Sequence, residues 1–331
     1  MYHPRLQGDY YQMGFRYGSL LSKFGFELPK TEREKVGFGV KCLTEIQKVY
    51  PEIVEEIEGF CAGAKCSVEE LAGFLLSIGA FEHQAQCSLF AKRNKKGEII
   101  IGRNFDSLFK FQKYTESVLV RPDGKLAFIG QSEVFIGKED GINQAGLFIG
   151  MAYVNGKEAQ PGFNFLVTVR YILEHFTNVS DAIHFLKSVP IATYNNFLIA
   201  DRETMAVVES CPHKIAVRKP HGNFINCTNF FVEECIKKYE LPGIEWSRSA
   251  ERFCAVEDSL TKETDIDLFQ AKQLLSDRNS GVCLNLKNFG FGTLWSVVAN
   301  LNKMHIERAE GMPSISRYKV DGRLNTLINK K

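Results

Sequence analysis

Residues Gln86–Asp106 read QCSLFAKRNKKGEIIIGRNFD, and this stretch carries the clearest structural signal in the chain. Two apolar-rich segments flank the polar loop Asn-Lys-Lys-Gly at residues 94–97, which is typical of a β-hairpin. The segments before Cys87 are patterned as helices, and strand-like segments dominate after Asp106. The hairpin therefore marks the point where a helical region gives way to a sheet-rich one.

The region before the hairpin is predicted to be mainly helical. Between Glu45 and Ala64, apolar residues recur at spacings of three and four, which indicates a helix with one apolar face. Pro51 interrupts this pattern, so two helices or a kink are expected there. Ser67 and Glu70 form a Ser-x-x-Glu pattern that predicts the start of another helix.

The region after the hairpin mixes strands with blocks of helix. Helices are expected over 163–177, 179–187 and 245–277, and strands over 116–121, 126–130, 146–153, 197–200, 205–209, 214–218, 282–286 and 293–301. Strands and helices in blocks favour an α+β or layered chain over strict β-α-β alternation. The change near residue 86 is the clearest boundary that the pattern offers.

Composition narrows the classes of function. The chain has 331 residues, and 41 basic against 39 acidic side chains leave a net charge of +2. This balance gives no electrostatic reason to expect nucleic acid or an anionic membrane as a partner. The N-terminus lacks a signal-peptide pattern and no apolar run reaches 18 residues, so a cytoplasmic protein with reduced thiols is expected.

The nine cysteines are scattered and odd in number. Cys61 and Cys66 are five residues apart, and no second pair or histidine pair completes a zinc site. Neither a phosphate-binding loop nor a dinucleotide fingerprint is present. We therefore expect no metal and no cofactor.

Cys87 begins the first strand of the hairpin, and Arg103 and Asp106 lie on the return strand. A neighbouring guanidinium favours a thiolate, and a carboxylate can orient an amine. Without an obvious histidine, such a cysteine fits a nucleophile whose base is its own α-amino group, which requires cleavage of the Gln86–Cys87 bond. A buried core cysteine is the alternative, because the hairpin register is not fixed by sequence.

The chain resembles a known family along nearly its whole length, the N-terminal nucleophile (Ntn) hydrolases of the acyl-coenzyme A:6-aminopenicillanic acid acyltransferase type (peptidase family C45). It is more distantly similar to penicillin V acylases and bile salt hydrolases. The resemblance rests on motifs in a fixed order: Gly8–Gly18, Pro51–Gly63, Gln86–Ser88, Gly102–Asp106, Asp140–Leu147, Thr228–Phe230, Ser247–Phe253 and Gly292–Ala299.

The resemblance implies a role for each matching residue. Cys87 would be the nucleophile, Asp106 would orient its freed amine, and Arg103 would favour the thiolate and contact substrate. Asn229 and the backbone N–H near Tyr153 would stabilise the oxyanion. The remaining candidates are Arg252, which would support the site, Arg248, which competes with Arg252 for that position, and Asn104.

The resemblance also implies a four-layer αββα sandwich, with residues 1–86 as a helical prosegment and residues 87–331 as the catalytic domain. The expected activity is hydrolysis or transfer of acyl groups at linear amide bonds. The expected partner is a small acyl-amide or peptide-like substrate, with acyl-coenzyme A as a candidate donor and homo-oligomerisation left open.

Two other hypotheses remain at the level of sequence. Gln86 stands where acyltransferase-type members often have glycine, which leaves open a catalytically silent protein that uses the same fold for binding. A redox-sensor protein ranks last, because no Cys-x-x-Cys pair is present.

Overall fold

The computed structural model describes residues 1–81 and 85–328. The strands in this part of the chain are β1 Arg5–Gly8, β2 Gln86–Arg93, β3 Ile99–Leu108, β4 Glu116–Pro122, β5 Phe128–Ser132, β6 Asp140–Asn143, β7 Phe148–Tyr153, β8 Asn195–Ala200, β9 Met205–Cys211, β10 Lys214–Arg218, β11 Phe224–Cys227, β12 Asn285–Leu286, β13 Phe291–Asn300, β14 His305–Ala309 and β15 Tyr318–Val320. The helices are α1 Tyr10–Lys23, α2 Arg33–Gln47, α3 Pro51–Ala64, α4 Val68–Leu76, α5 Phe165–His175, α6 Val179–Ser188, α7 Glu234–Lys237, α8 Ser249–Lys262, α9 Leu268–Ser276 and α10 Arg323–Ile328. Among the described helices, none combines the length and apolar character that crossing a bilayer requires.

The strands form two sheets. One has eight strands in the order β1-β4-β5-β6-β7-β8-β9-β10, and the other follows β11-β2-β3-β13-β14-β15, with β12 paired to β13. Neighbouring strands are antiparallel except β1 and β4, which run parallel. The prediction of an α+β fold is confirmed.

Three apolar cores explain how the elements stack. The first joins α1–α6 to one face of the eight-stranded sheet. The second lies between the two sheets, and the third joins α8 and α9 to the outer face of the seven-stranded sheet. Because alternate residues of a strand point to opposite faces, each central strand contributes to two cores. The resulting order is helices, sheet, sheet, helices.

The predicted hairpin is confirmed as β2–β3, and its register is now fixed. Cys87 lies directly across from Phe105, and Gln86 from Asp106. In the turn, the Asn94 side chain accepts hydrogen bonds from the backbone N–H groups of Lys96 and Glu98. Such Asx contacts stabilise tight turns. The hairpin places β3 between β2 and β13, in the middle of its sheet.

The N-terminal region is more than a set of helices. The strand β1, which the sequence pattern does not reveal, pairs with β4 at the edge of the eight-stranded sheet. Helices α1 and α3 pack backbone to backbone, and a Cβ atom at Gly14 or Gly18 would collide with the carbonyl of Glu56 or Phe60. Glycine permits this close approach. The division at residue 86 stays a prediction.

Two expected elements differ from those observed. The single helix expected over 245–277 is a short 3-10 turn followed by α8 and α9, because Asp267 caps a new helix with its side chain. The strand expected over 282–286 is reduced to β12, whose two residues pair with the start of β13. The break expected at Pro51 is confirmed, since α3 begins there.

Candidate active site

Cys87 is fully buried near the start of β2, and its polar atoms are all engaged. Its backbone N–H donates to Oδ1 of Asn229 at 2.9 Å, and its carbonyl accepts a 2.6 Å bond from Nη1 of Arg252. Nη2 of Arg103 lies 3.4 Å from the sulfur. The backbone and the thiol of one residue are therefore held by three different side chains.

Arg103 projects between the two sheets, where it has no contact with solvent. Its Nε lies 3.0 Å from a carboxylate oxygen of Asp140, and its Nη1 donates to the carbonyl of Glu139 at 2.5 Å. Trp295 donates from its indole N–H to the same carboxylate at 3.1 Å. The Asp140 carboxylate therefore fixes the guanidinium with one edge towards the Cys87 thiol.

Arg252 is buried at the first turns of α8, and all five of its N–H groups donate hydrogen bonds. The acceptors are the Ser247 carbonyl at 2.9 Å, the Cys87 carbonyl at 2.6 Å, Ser88 Oγ at 2.8 Å, Gln86 Oε1 at 3.3 Å and Asn229 Oδ1 at 3.0 Å. One guanidinium thus binds three consecutive residues around the bond that is predicted to be cleaved.

Asn229 bridges the two sheets beside Cys87. Its amide nitrogen donates to the carbonyl of Tyr153 at 2.8 Å, while its backbone N–H donates to Ser249 Oγ at 2.8 Å. The side-chain oxygen accepts from both Cys87 and Arg252. Asn229 therefore links the Cys87 backbone N–H to the Tyr153 carbonyl.

Asp106 is fully buried, and its two carboxylate oxygens differ in their surroundings. Oδ1 accepts a 2.5 Å hydrogen bond from Thr293, whereas Oδ2 is buried and has no partner among the described residues. Burial raises the pKa of Asp106 to about 6, against the opposing effect of Arg252 and the Thr293 bond. An unpaired buried oxygen here is an acceptor in need of a donor.

Burial raises the pKa of the Cys87 thiol well above its usual range, and the nearby Arg103 only partly offsets this. With Gln86 still attached, the thiol is therefore protonated at neutral pH. A base is needed to generate the thiolate, and among the described residues no histidine hydrogen-bonds to Cys87.

Two sequence candidates lie away from this centre. Asn104 occupies the opposite face of β3 from Arg103, and its amide donates to the carbonyls of Leu275 and Val282. Arg248 is exposed, has left-handed backbone geometry and lies 3.8 Å from Glu251. It is Arg252, one helical turn later, that reaches Cys87.

Some residues of the centre were not singled out from the sequence. Asp140 and Thr293 fall within motifs that carried the resemblance, but neither was given a role. Ser249 contributes through its hydroxyl to the backbone of Asn229. The signal at Asp140 was that it is the charged residue of β6, and this signal does not identify its partner.

Comparison with protein families gives a match over residues 92–314 to the family described as acyl-coenzyme A:6-aminopenicillanic acid acyl-transferase. The match covers well over half of the chain. The chain belongs to this family. It is accordingly an acyl-amide hydrolase or acyltransferase of the Ntn type. The matched region begins five residues after Cys87.

The bile acid hydrolase fold is shared at low sequence identity. The conjugated bile acid hydrolase from Clostridium perfringens superposes with a TM-score of 0.55 at 15% identity, covering 74% of this chain and 93% of that chain. Penicillin V acylase from Agrobacterium tumefaciens gives a TM-score of 0.47 at 15% identity, covering 68% and 83% of the two chains. No curated protein sequence matches the chain significantly.

Proposed function

We propose that this acyltransferase-family member is a self-processing cysteine enzyme, and that cleavage of the Gln86–Cys87 bond frees Cys87 as the nucleophile. The observation that carries the proposal is the Arg252 guanidinium, which binds Gln86, Cys87 and Ser88 together. A fully buried charge is costly to desolvate. A buried guanidinium that fixes residues 86–88 is explained if the geometry of this segment matters for cleavage of the Gln86–Cys87 bond.

Self-cleavage follows from the chemistry of the thiol. The sulfur attacks the Gln86 carbonyl carbon, the carbon–nitrogen bond breaks, and the Cys87 nitrogen takes the thiol proton. Water then hydrolyses the thioester, which leaves a carboxylate on Gln86 and restores the thiol. The products are the fragments 1–86 and 87–331, with a free amine on Cys87.

The freed amine would lie between two acceptors. Asn229 Oδ1 already accepts from the Cys87 nitrogen at 2.9 Å, and Asp106, across from Gln86, has an unpaired buried oxygen. An α-amino group has an unperturbed pKa near 8, which suits general-base work at neutral pH. We assign Asp106 the role of orienting the amine, which takes the thiol proton at each turnover.

The acyl-transfer step needs donors for an oxyanion. The amide nitrogen of Asn229 carries two N–H groups, and one of them donates to Tyr153. We assign the second to the oxyanion, together with a backbone N–H near Tyr153. Loss of one such donor typically lowers the rate about 10²–10³-fold.

The substrate class follows from the family and from the thiol. A small acyl amide is attacked at its carbonyl, its amine leaves, and water or a second amine receives the acyl group. We propose acyl-coenzyme A as a second kind of acyl donor, because the same thiol attacks a thioester carbonyl by the same path.

The test is to trap the acyl group on Cys87. The processed protein is mixed with an N-acyl amide and quenched in acid, and the modified peptide is mapped by mass spectrometry. We expect the acyl mass on the peptide that begins at Cys87. Acylation of another cysteine, or none at Cys87 while amide is being turned over, would contradict the proposal. The matched control is Cys254→Ala, which removes an exposed cysteine and should leave acylation of Cys87 unchanged.

A further inference from the structure

Two carboxylates beside the catalytic centre form no ion pair among the described residues. Glu139 is only 2% exposed, and within the described part of the chain neither its Oε2 nor the shielded Oε2 of Glu133 has a hydrogen-bond partner. Burial raises the pKa of Glu133 to about 7, and burial together with Glu133 raises the pKa of Glu139. Burial without a partner favours the neutral carboxyl, and a cation bound between the two groups would favour their charged forms.

The pair lies on the same side of the sheet as the thiol. The Glu139 carbonyl and the Cys87 sulfur contact the two terminal nitrogens of one guanidinium, that of Arg103. Ser107, 3.5 Å from Glu133, is two residues beyond Phe105 on the same face of β3. Ser107 lies about 7 Å along β3 from Phe105, which is paired with Cys87. The Glu133 carboxylate is near this position.

The neighbouring cations are already engaged. Arg103 is paired with Asp140, and Lys138 lies 3.2 Å from Glu116 on the other face of the sheet. Within the described residues, no group of three or more histidine, cysteine or acidic side chains could hold a metal ion.

The segment that carries the pair is held rigidly. Between the two glutamates, Ile136 has a φ of 70°, a strained value for a β-branched residue. Its carbonyl accepts a 2.8 Å hydrogen bond from Arg170, which is itself ion-paired with Glu56 and Glu174. Strain of this kind persists where surrounding contacts enforce it, and it occurs often in ligand-binding segments. The backbone between the two glutamates is consequently held in place.

We propose that Glu133 and Glu139 bind a primary ammonium group on the substrate, so that the preferred acyl amides carry a positive charge about 7 Å from the scissile carbonyl. An ammonium group has three N–H donors, which match the two unpartnered oxygens and one further acceptor. This inference rests on the proposed function, because it places the ammonium relative to the Cys87 thiol.

The test compares isosteric substrates on the processed wild-type protein. In the first arm, octanoyl amides of 1,4-diaminobutane, pentylamine and 5-aminopentanoate carry a positive, neutral or negative group on the amine side. In the second arm, the 6-aminohexanoyl and heptanoyl amides of pentylamine place the charge on the acyl side. We expect the cationic member of one arm to have a kcat/KM at least about tenfold above its neutral isostere.

Variants then assign the preference to the pair. We expect Glu133→Gln and Glu139→Gln to reduce the cationic preference, taken as the ratio of kcat/KM for the cationic and neutral amides of the same variant, to less than about threefold. Glu58→Gln, on the exposed face of α3, is the matched control and should keep the full preference.

Equal rates for cationic and neutral substrates in both arms would overturn the inference, as would a preference that survives in the double variant. The comparison of kcat/KM values between substrates on the wild-type protein needs no variant. The inference therefore stays testable if Glu139→Gln does not fold. Turnover of the neutral amide with an acyl group on Cys87 would show that the proposed function holds even when the ammonium site fails.

Discussion

At the scale of the residue, Arg252 has the most demanding position in the molecule. Its five N–H groups bind the backbone and side chains around the Gln86–Cys87 bond, whereas Arg248, four residues earlier, lies in solvent. A lysine at position 252 has three donors on one nitrogen and cannot reproduce the planar fork. The two arginines therefore offer a matched pair for mutation.

We predict that Arg252→Lys slows cleavage at Gln86–Cys87 about 10–100-fold, because the segment loses most of the bonds that fix it. The measurement is the rate at which the 87–331 fragment appears on a denaturing gel. Arg248→Lys, the control, should be processed at the wild-type rate. Equal rates for both variants would show that the Arg252 contacts are structural only.

Asp106 permits a prediction about pH. In a Cys87→Ala background, which keeps the chain whole, burial raises the pKa of Asp106 to about 6, above its ordinary value of 3.8. The neutral Asp106 carboxyl therefore stabilises the fold below about pH 4, and this contribution is lost as the pH rises through 6. Asp106→Asn keeps the Thr293 bond but does not ionise.

The variant Asp106→Asn should therefore gain stability relative to its parent as the pH increases from 4 to 7. Thermal unfolding of both proteins across that range measures the difference. A constant difference in Tm over the range would mean that the Asp106 carboxylate does not titrate there in the folded protein.

The chemistry of these residues was more predictable than their contacts. The offsets of 16 and 19 residues from Cys87 to Arg103 and Asp106 match the spacing of the family that the chain resembles, and the structure places Arg103 on the sulfur. The register could not be read, because a slip of one residue would exchange the faces of Arg103 and Asn104. The ion pair with Asp140 could not be found either, since it forms between sheets and has no local signal.

At the scale of the element, the junction between α3 and α5 is held by buried charges. Arg170 on α5 forms ion pairs with Glu56 of α3 and with Glu174, and the hydroxyls of Tyr10 and Tyr50 donate to Glu174. Breaking a buried ion pair leaves one charge uncompensated, at a typical cost of about 3–5 kcal/mol.

We predict that Glu56→Gln lowers the free energy of unfolding by about 3 kcal/mol, because the positive charge of Arg170 loses one of its two carboxylates. Urea unfolding in the Cys87→Ala background measures the change. Glu58→Gln on the same helix points to solvent and should stay within about 0.5 kcal/mol of the parent. A neutral Glu56→Gln would contradict the ionic account of this junction.

Structural elements with a strong local sequence pattern were predicted, whereas elements with a weak pattern were missed. The hairpin and the break at Pro51 have short-range signals in turn chemistry and proline. The strand β1 has only four residues, and its parallel pairing with β4 joins segments more than a hundred residues apart. The division between α8 and α9 depends on the cap at Asp267, which an apolar pattern alone does not mark.

At the scale of the whole molecule, the N-terminal region is part of the architecture. It supplies an edge strand to the eight-stranded sheet and contributes α1–α4 to the first core. Cleavage at Gln86–Cys87 would cut the chain without removing any of these contacts. We expect the region to remain in place as a structural subunit.

The processed protein should accordingly elute as one species containing both fragments, even in 1 M NaCl, where exposed charges are screened and buried contacts are not. Size-exclusion chromatography followed by a denaturing gel measures this. Separate elution of the 1–86 fragment from folded 87–331 would show that the shared core is too weak to hold the two together.

The central claim is that Cys87 becomes an N-terminus, and the intact mass of the purified protein tests it most directly. We predict two masses, matching residues 1–86 and 87–331, for the wild type, and a single 37.5 kDa chain for Cys87→Ala. An uncleaved wild-type chain that turns over acyl amides would contradict the account, because the base assigned to the thiol would not exist.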